Sequence, residues 1–161
     1  MRGVAPILMP MCGGLLAAGE SVEKTIEDLC ASSQGALRTA RTRPELTAAF
    51  DTFAPEWVGN MPAGETLTLA GLQKEAEAVL AIPPETRPLP KMDIVVFRQT
   101  GWNVLVVYWN SRRASTQVAG SLYRDTWVPT PRGWRGIRQE KFFPDRPLLE
   151  DGKPMILPGV E

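Results

Sequence analysis

The stretch "YRDTWVPTPRGWRGIRQEKFF", Tyr123 to Phe143, sets a single carboxylate, Asp125, between two aromatic residues, Tyr123 and Trp127. In a strand, side chains alternate between faces, so Tyr123, Asp125 and Trp127 share one face while Leu122, Arg124, Thr126 and Val128 take the other. If the first face looks inward, burial disfavours the charged carboxylate and raises its pKa. An acid so placed becomes a general base, or a neutral hydrogen-bond donor, near pH 7. Asp125 is therefore the candidate catalytic residue, and Trp57, Tyr108, Tyr123 and Trp127 are the candidate walls of a ligand pocket. The competing expectation is structural: an unpaired buried charge is costly, so Asp125 would pair across the strands with Arg135 or Arg138, or accept backbone hydrogen bonds.

Other chemistries are narrowed by composition. The chain has no histidine, which removes the commonest general base, the commonest ligand of catalytic zinc and every Ser-His or Cys-His nucleophile pair. Its two cysteines, Cys12 and Cys30, form no CxxC and no metal-ligand spacing, so neither a metal nor a cofactor is expected. Lys plus Arg and Asp plus Glu each total 18, leaving no field of one sign to collect nucleic acid or anionic lipid. The small groups Arg38, Arg41, Arg43 and Arg112, Arg113 read as solvated helix and loop-end charges. Asp93 reads as a solvated strand end.

The first nineteen residues, "MRGVAPILMPMCGGLLAAG", carry one early positive charge at Arg2, an uncharged apolar run, and small residues before Glu20. That is the layout of a secretory signal cut after Ala18 or Gly19, and it predicts a periplasmic or secreted protein. The alternative is a cytoplasmic leader. Pro6, Pro10, Gly13 and Gly14 interrupt the run too often for a membrane span. Met11 is a poor match for the small residue that precedes a lipid-bearing cysteine. With the leader removed, Cys30 stands alone and reads as a small core residue on a helix.

The remaining 20–145 form one domain of ordinary size, followed by a proline-rich tail at 146–161. Apolar steps of three and four at Val22, Ile26, Leu29, Cys30 and Leu37 predict a helix of about twenty residues. "TRPELTAAFDTF" predicts a shorter helix with Pro44 in its first turn. Extended pieces around Trp57-Val58 and Thr66 to Leu69 flank a Pro/Gly turn as a hairpin. Helical spacing returns from Leu69 to Leu80 and stops at Pro83-Pro84. "DIVVFRQTGWNVLVVYWNS" holds two apolar strands expected near the middle of a sheet, and Leu122–Val128 and Trp134–Phe143 add two more. Helices first and antiparallel strands later indicate an α+β domain, with the helices on one side of a curved sheet.

That order, with "FAPEWVGNMPAGETLTLAGLQKE" and "YRDTWVPTPRGWR", resembles the NTF2-like superfamily and, within it, SnoaL-like and DUF4440-type domains. The resemblance spans about 23–143. It implies a cone-shaped α+β barrel: a strongly bent, mainly antiparallel sheet wraps the long helix and leaves a pocket at its open end. Members include ketosteroid isomerase, polyketide cyclases, dehydratases, ligand binders and dimerisation modules, so the fold does not fix the function. By analogy with the Tyr and Asp groups of ketosteroid isomerase, Tyr108 and Tyr123 would be oxyanion donors beside Asp125. No catalytic position of that enzyme aligns on Asp125, so no role transfers to it. The missing histidine excludes the His-Asp pairing of some dehydratases, and the proline-rich tail matches no feature of the superfamily.

The expectations for function are an exported domain holding a small, mostly apolar molecule in the cone, or an isomerase, cyclase or hydrolase with Asp125 as base. A homodimer through a sheet face that includes Val106, Tyr108 and Trp127, with the cone filled by side chains, is the further alternative. Trp102, Trp109 and Trp134 read as core or dimer surface.

Overall fold

The computed structural model describes residues 21–114, 117–142, 149–150 and 153–154. The leader at 1–19 with Cys12, and all of the tail except two short strands, lie outside the described residues. Helix α1 (Val22–Thr39) starts at Ser21, whose hydroxyl accepts the amide hydrogen of Lys24 at 3.2 Å. A second short helix, α2 (Arg43–Ala48), is capped by Thr42 with Pro44 in its first turn. Strands β1 (Phe53–Asn60) and β2 (Thr66–Thr68) form the expected hairpin.

Helix α3 (Leu69–Ala76) is shorter than its apolar spacing predicts, and the chain tightens into a 3-10 turn over Glu77–Ala81. Pro83 and Pro84 explain the difference. Neither supplies an amide hydrogen to the carbonyls four residues back, so the last turn closes with a shorter loop, Ile82 N–H to Val79 O at 3.0 Å.

Four long strands follow: β3 (Leu89–Thr100), β4 (Asn103–Ala114), β5 (Gln117–Thr130) and β6 (Gly133–Phe142). The main sheet is open and curled, in the order β2-β1-β6-β5-β4-β3, with β1 parallel to β6 and every other pair antiparallel. Thus β4 is interior, as its apolar run implies, but β3 is an edge. Within the tail, β7 (Leu149–Glu150) pairs with β8 (Lys153–Pro154) where an extended segment was expected. Register shifts in the β1–β6, β3–β4 and β5–β6 pairs bend the sheet around α1.

On the inner face, Val104, Val106, Tyr108 and Trp127 pack with Ile26 of α1, flanked by Val22, Leu29 and Cys30. The dimer surface expected at Val106, Tyr108 and Trp127 is therefore interior; these residues are 1%, 5% and 1% exposed because α1 lies over them. The outer face is built instead from Val107 and Leu122 with Trp109 and Phe142 around them. A second apolar cluster gathers Leu37, Ala40, Leu46, Phe50, Leu72 and Val79 where the helices meet. Trp102 stands on the β3–β4 turn, 80% exposed. No helix among the described residues is long and apolar enough to cross a membrane.

Candidate functional site

Alternation along β5 places Asp125 on the inner face, where it is 2% exposed beneath α1. The Tyr108 hydroxyl donates to Asp125 Oδ2 at 3.0 Å, Gln139 Nε2 donates to the Tyr108 oxygen at 3.1 Å, and Gln139 Nε2 lies 3.4 Å from the same Oδ2. These three side chains form a small triangle in which Tyr108 and Asp125 are buried and Gln139 is half-buried. Tyr123 stacks on Tyr108 with ring centroids 5.5 Å apart, and Lys141 Nζ lies 5.9 Å from the Tyr123 ring centre.

Among the described residues, no arginine pairs with the carboxylate. Counted from the β5–β6 turn, where Thr130 faces Gly133, simple pairing would set Arg138 opposite Asp125. A bulge between Thr126 and Trp127 moves the register by one residue, so Gln139 faces Asp125 and Arg138 falls on the other side, exposed. Arg135 turns to the Trp134 carbonyl, 2.7 Å away. The expected ion pair is thus replaced by neutral donors. Asp93 pairs with Lys91 at 2.8 Å in an exposed position, as a solvated strand end should.

Electrostatics follow from that environment. Burial pushes the Asp125 carboxyl up to about 7, and the hydrogen bonds from Tyr108 and Gln139 offset only part of the rise. Its Oδ1 is buried without a partner among the described residues, as are the indole nitrogens of Trp57 and Trp127. Burial raises the Tyr108 hydroxyl well above its usual value, with the Asp125 charge adding to the effect. The Cys30 thiol above them is raised by burial first and by Asp125 and Glu27 next. Such a carboxyl can donate a proton when neutral or accept one when ionised, but Asp125 itself is only 2% exposed.

Open space lies next to it. The α1 stripe that covers the triangle at Ile26 and Cys30 continues through Gln34, Leu37 and Arg38, which form one wall of a cavity of about 430 Å³. Phe50, Leu72, Ala76, Val79 and Ile82 supply its apolar lining, Pro88 and Pro90 a rigid edge, and Asn110 its floor on β4. Asn110 follows Tyr108 by two residues on the same face, so triangle and cavity are neighbours along one strand. The volume falls in the range of small-molecule sites, about 300–1,000 Å³. None of Trp57, Tyr108, Tyr123 and Trp127, the pocket walls expected from the sequence, lines this cavity: Tyr108 and Trp127 are buried in the inner-face cluster with half-buried Tyr123 against it, and Trp57 is buried beside Phe53. Trp57 packs on Phe53 at 5.3 Å and covers Gly59, where a Cβ would come within 2.5 Å of its ring.

One residue of this region carried no sequence signal. Arg87, in the connector before β3, is 5% exposed and bonds only to backbone: Nε to the Ile82 carbonyl at 2.9 Å, and Nη1 to those of Leu37, Arg38 and Ala40 at 3.2, 2.8 and 2.7 Å. It thereby closes the α1 C-terminus, whose orphan carbonyls and dipole favour a cation. "PPETRPLP" reads as a connector, and only the fold brings Arg87 to a helix end some fifty residues earlier. Among the described residues, no group of three or more His, Cys, Asp or Glu side chains converges as a metal site would.

No family model and no curated protein matches the sequence. Among solved structures, an NTF2-like protein with a cystatin-like fold from Novosphingobium aromaticivorans superposes with a TM-score of 0.60 at 16% identity, covering 76% of this chain and 82% of its own. An NTF2-like protein of unknown function from Shewanella oneidensis gives 0.57 at 12% identity, covering 74% of this chain and 97% of its own. A Parabacteroides distasonis protein provisionally named a ketosteroid isomerase gives 0.55 at 12% identity, over 79% and 91%. At these identities the likeness speaks for architecture alone, and it agrees with the curled sheet, the enclosed long helix and the element order described above: the chain has the NTF2-like, cystatin-like fold.

Proposed function

We propose that this domain binds a small, mostly apolar molecule in the cavity at the end of α1. The observation that carries the reading is a cleft of about 430 Å³ whose apolar wall contains two buried polar atoms without partners, Arg38 Nε and Asn110 Oδ1. Buried donors and acceptors are normally satisfied, and a ligand group is one way to satisfy them. The signal-like leader, if cleaved, would place this binder outside the cytoplasm. A SnoaL-like or DUF4440-type relationship is the narrower family assignment we favour. Native mass spectrometry of the purified full chain tests the reading: an adduct of a few hundred daltons is expected, absent from an Ala76→Trp variant whose indole fills the space. An adduct unaffected by that substitution would place binding elsewhere.

A second reading keeps Asp125 as general base of a small-molecule enzyme, supported by its carboxyl at about 7 beside the Tyr108 hydroxyl. The burial of Asp125 weighs against it, since a base must come within hydrogen-bond reach of its substrate. Self-association is a third proposal, now through the outer sheet face around Trp109 and Phe142, and sedimentation equilibrium would detect it.

A further inference from the structure

The cavity wall is not electrically neutral. Arg38, Arg87 and Glu75 are its ionisable residues, two cations against one anion. Glu75 lies on an exposed part of α3 and forms no ion pair with either arginine. The charge of Arg87 is met by the carbonyls at the α1 C-terminus, and its Nη2 donates to no described residue. Arg38 sits beside it, since Arg87 Nη1 bonds the Arg38 carbonyl at 2.8 Å. The Arg38 Nε is buried without a partner, and its guanidinium makes no ion pair or side-chain hydrogen bond among the described residues. Two guanidinium groups with unused donors, both lining one largely apolar cleft, suit a planar anion. A carboxylate matches the fork of a guanidinium in both charge and shape.

We propose that the ligand of this cavity is an amphipathic monocarboxylate, its charged end held by Arg38 with Arg87 behind it and its apolar body lying between Phe50, Leu72 and Val79. The inference rests on reading the cleft as the ligand site and adds the ligand's chemical class. Asn110, whose buried Oδ1 lacks a partner among the described residues, then meets a polar substituent on the body.

Calorimetric titration of the full chain with octanoate, octanol and octylammonium separates charge from apolar content. Octanoate should bind at least about tenfold more tightly than either of the others. Arg38→Gln should bring octanoate to within about twofold of octanol, and Arg38→Lys should restore part of the preference. Because Arg38 contributes no internal side-chain hydrogen bond, both variants are expected to fold, and circular dichroism checks this. Equal affinity for octanoate and octanol would overturn the anionic ligand while leaving an apolar site. An undiminished preference in Arg38→Gln would overturn the role of Arg38. Absence of binding by all three probes at millimolar concentration would overturn both the ligand class and the cavity reading.

Discussion

Burial at Asp125 is opposed by only two hydrogen bonds, so the folded protein holds this proton to about pH 7 where an exposed aspartate releases it near 3.8. The unfolded chain ionises first as pH rises. The stabilising effect of the retained proton is complete below the ordinary value and disappears as pH climbs from about 4 through 7, a change on the order of 4 kcal/mol. Urea titrations at pH 4.5 and 8 should show most of that loss. Asp125→Asn, which cannot ionise, should flatten the profile and exceed the parent in stability at pH 8. Equal pH dependence in both proteins would mean that another group controls it. The inward placement of Asp125 was legible in the alternation of Tyr123, Asp125 and Trp127, because period two is a local property of the chain. Its partner was not, since one bulged residue in β6 exchanges Arg138 for Gln139 and such a slip leaves no local mark.

Among the elements, α1 depends on a residue supplied from outside it. Removing Arg87 leaves the carbonyls of Leu37, Arg38 and Ala40 without that donor at a part-buried helix end, so Arg87→Met should cost about 3 kcal/mol in chemical denaturation. Arg87→Lys should recover part of this through its charge at the dipole's negative end. Gly59 makes a second, steric prediction. An added methyl would meet the Trp57 ring at 2.5 Å, so Gly59→Ala should lower stability by about 1–3 kcal/mol despite the better intrinsic fit of alanine to a strand. The element order was readable because the stripe Val22, Ile26, Leu29, Cys30 and the paired prolines are contiguous signals. The Arg87 cap was hidden because it joins segments separated by 47 to 50 residues.

At the scale of the whole molecule, the inner face divides into two zones along α1: a packed zone around Asp125 and an open one past Gln34. Of the aromatic residues expected to wall a pocket, Trp57 and Trp127 are each 1% exposed, because large rings fill space, and none lines the cleft past Gln34. The actual cleft is lined by residues from α1, α3, the connector and two strands, none distinctive by itself. Its location depends on where the 3-10 turn before Pro83, which supplies Ala78 and Val79, comes to lie, and that is a tertiary outcome. The central claim, that ligands enter this cleft and not the Asp125 triangle, is tested most directly by titrating the full chain with anilinonaphthalene sulfonate, an apolar anion that fluoresces when desolvated. Ala76→Trp should abolish the saturable signal and Asp125→Asn should preserve it; the reverse pattern would contradict the account.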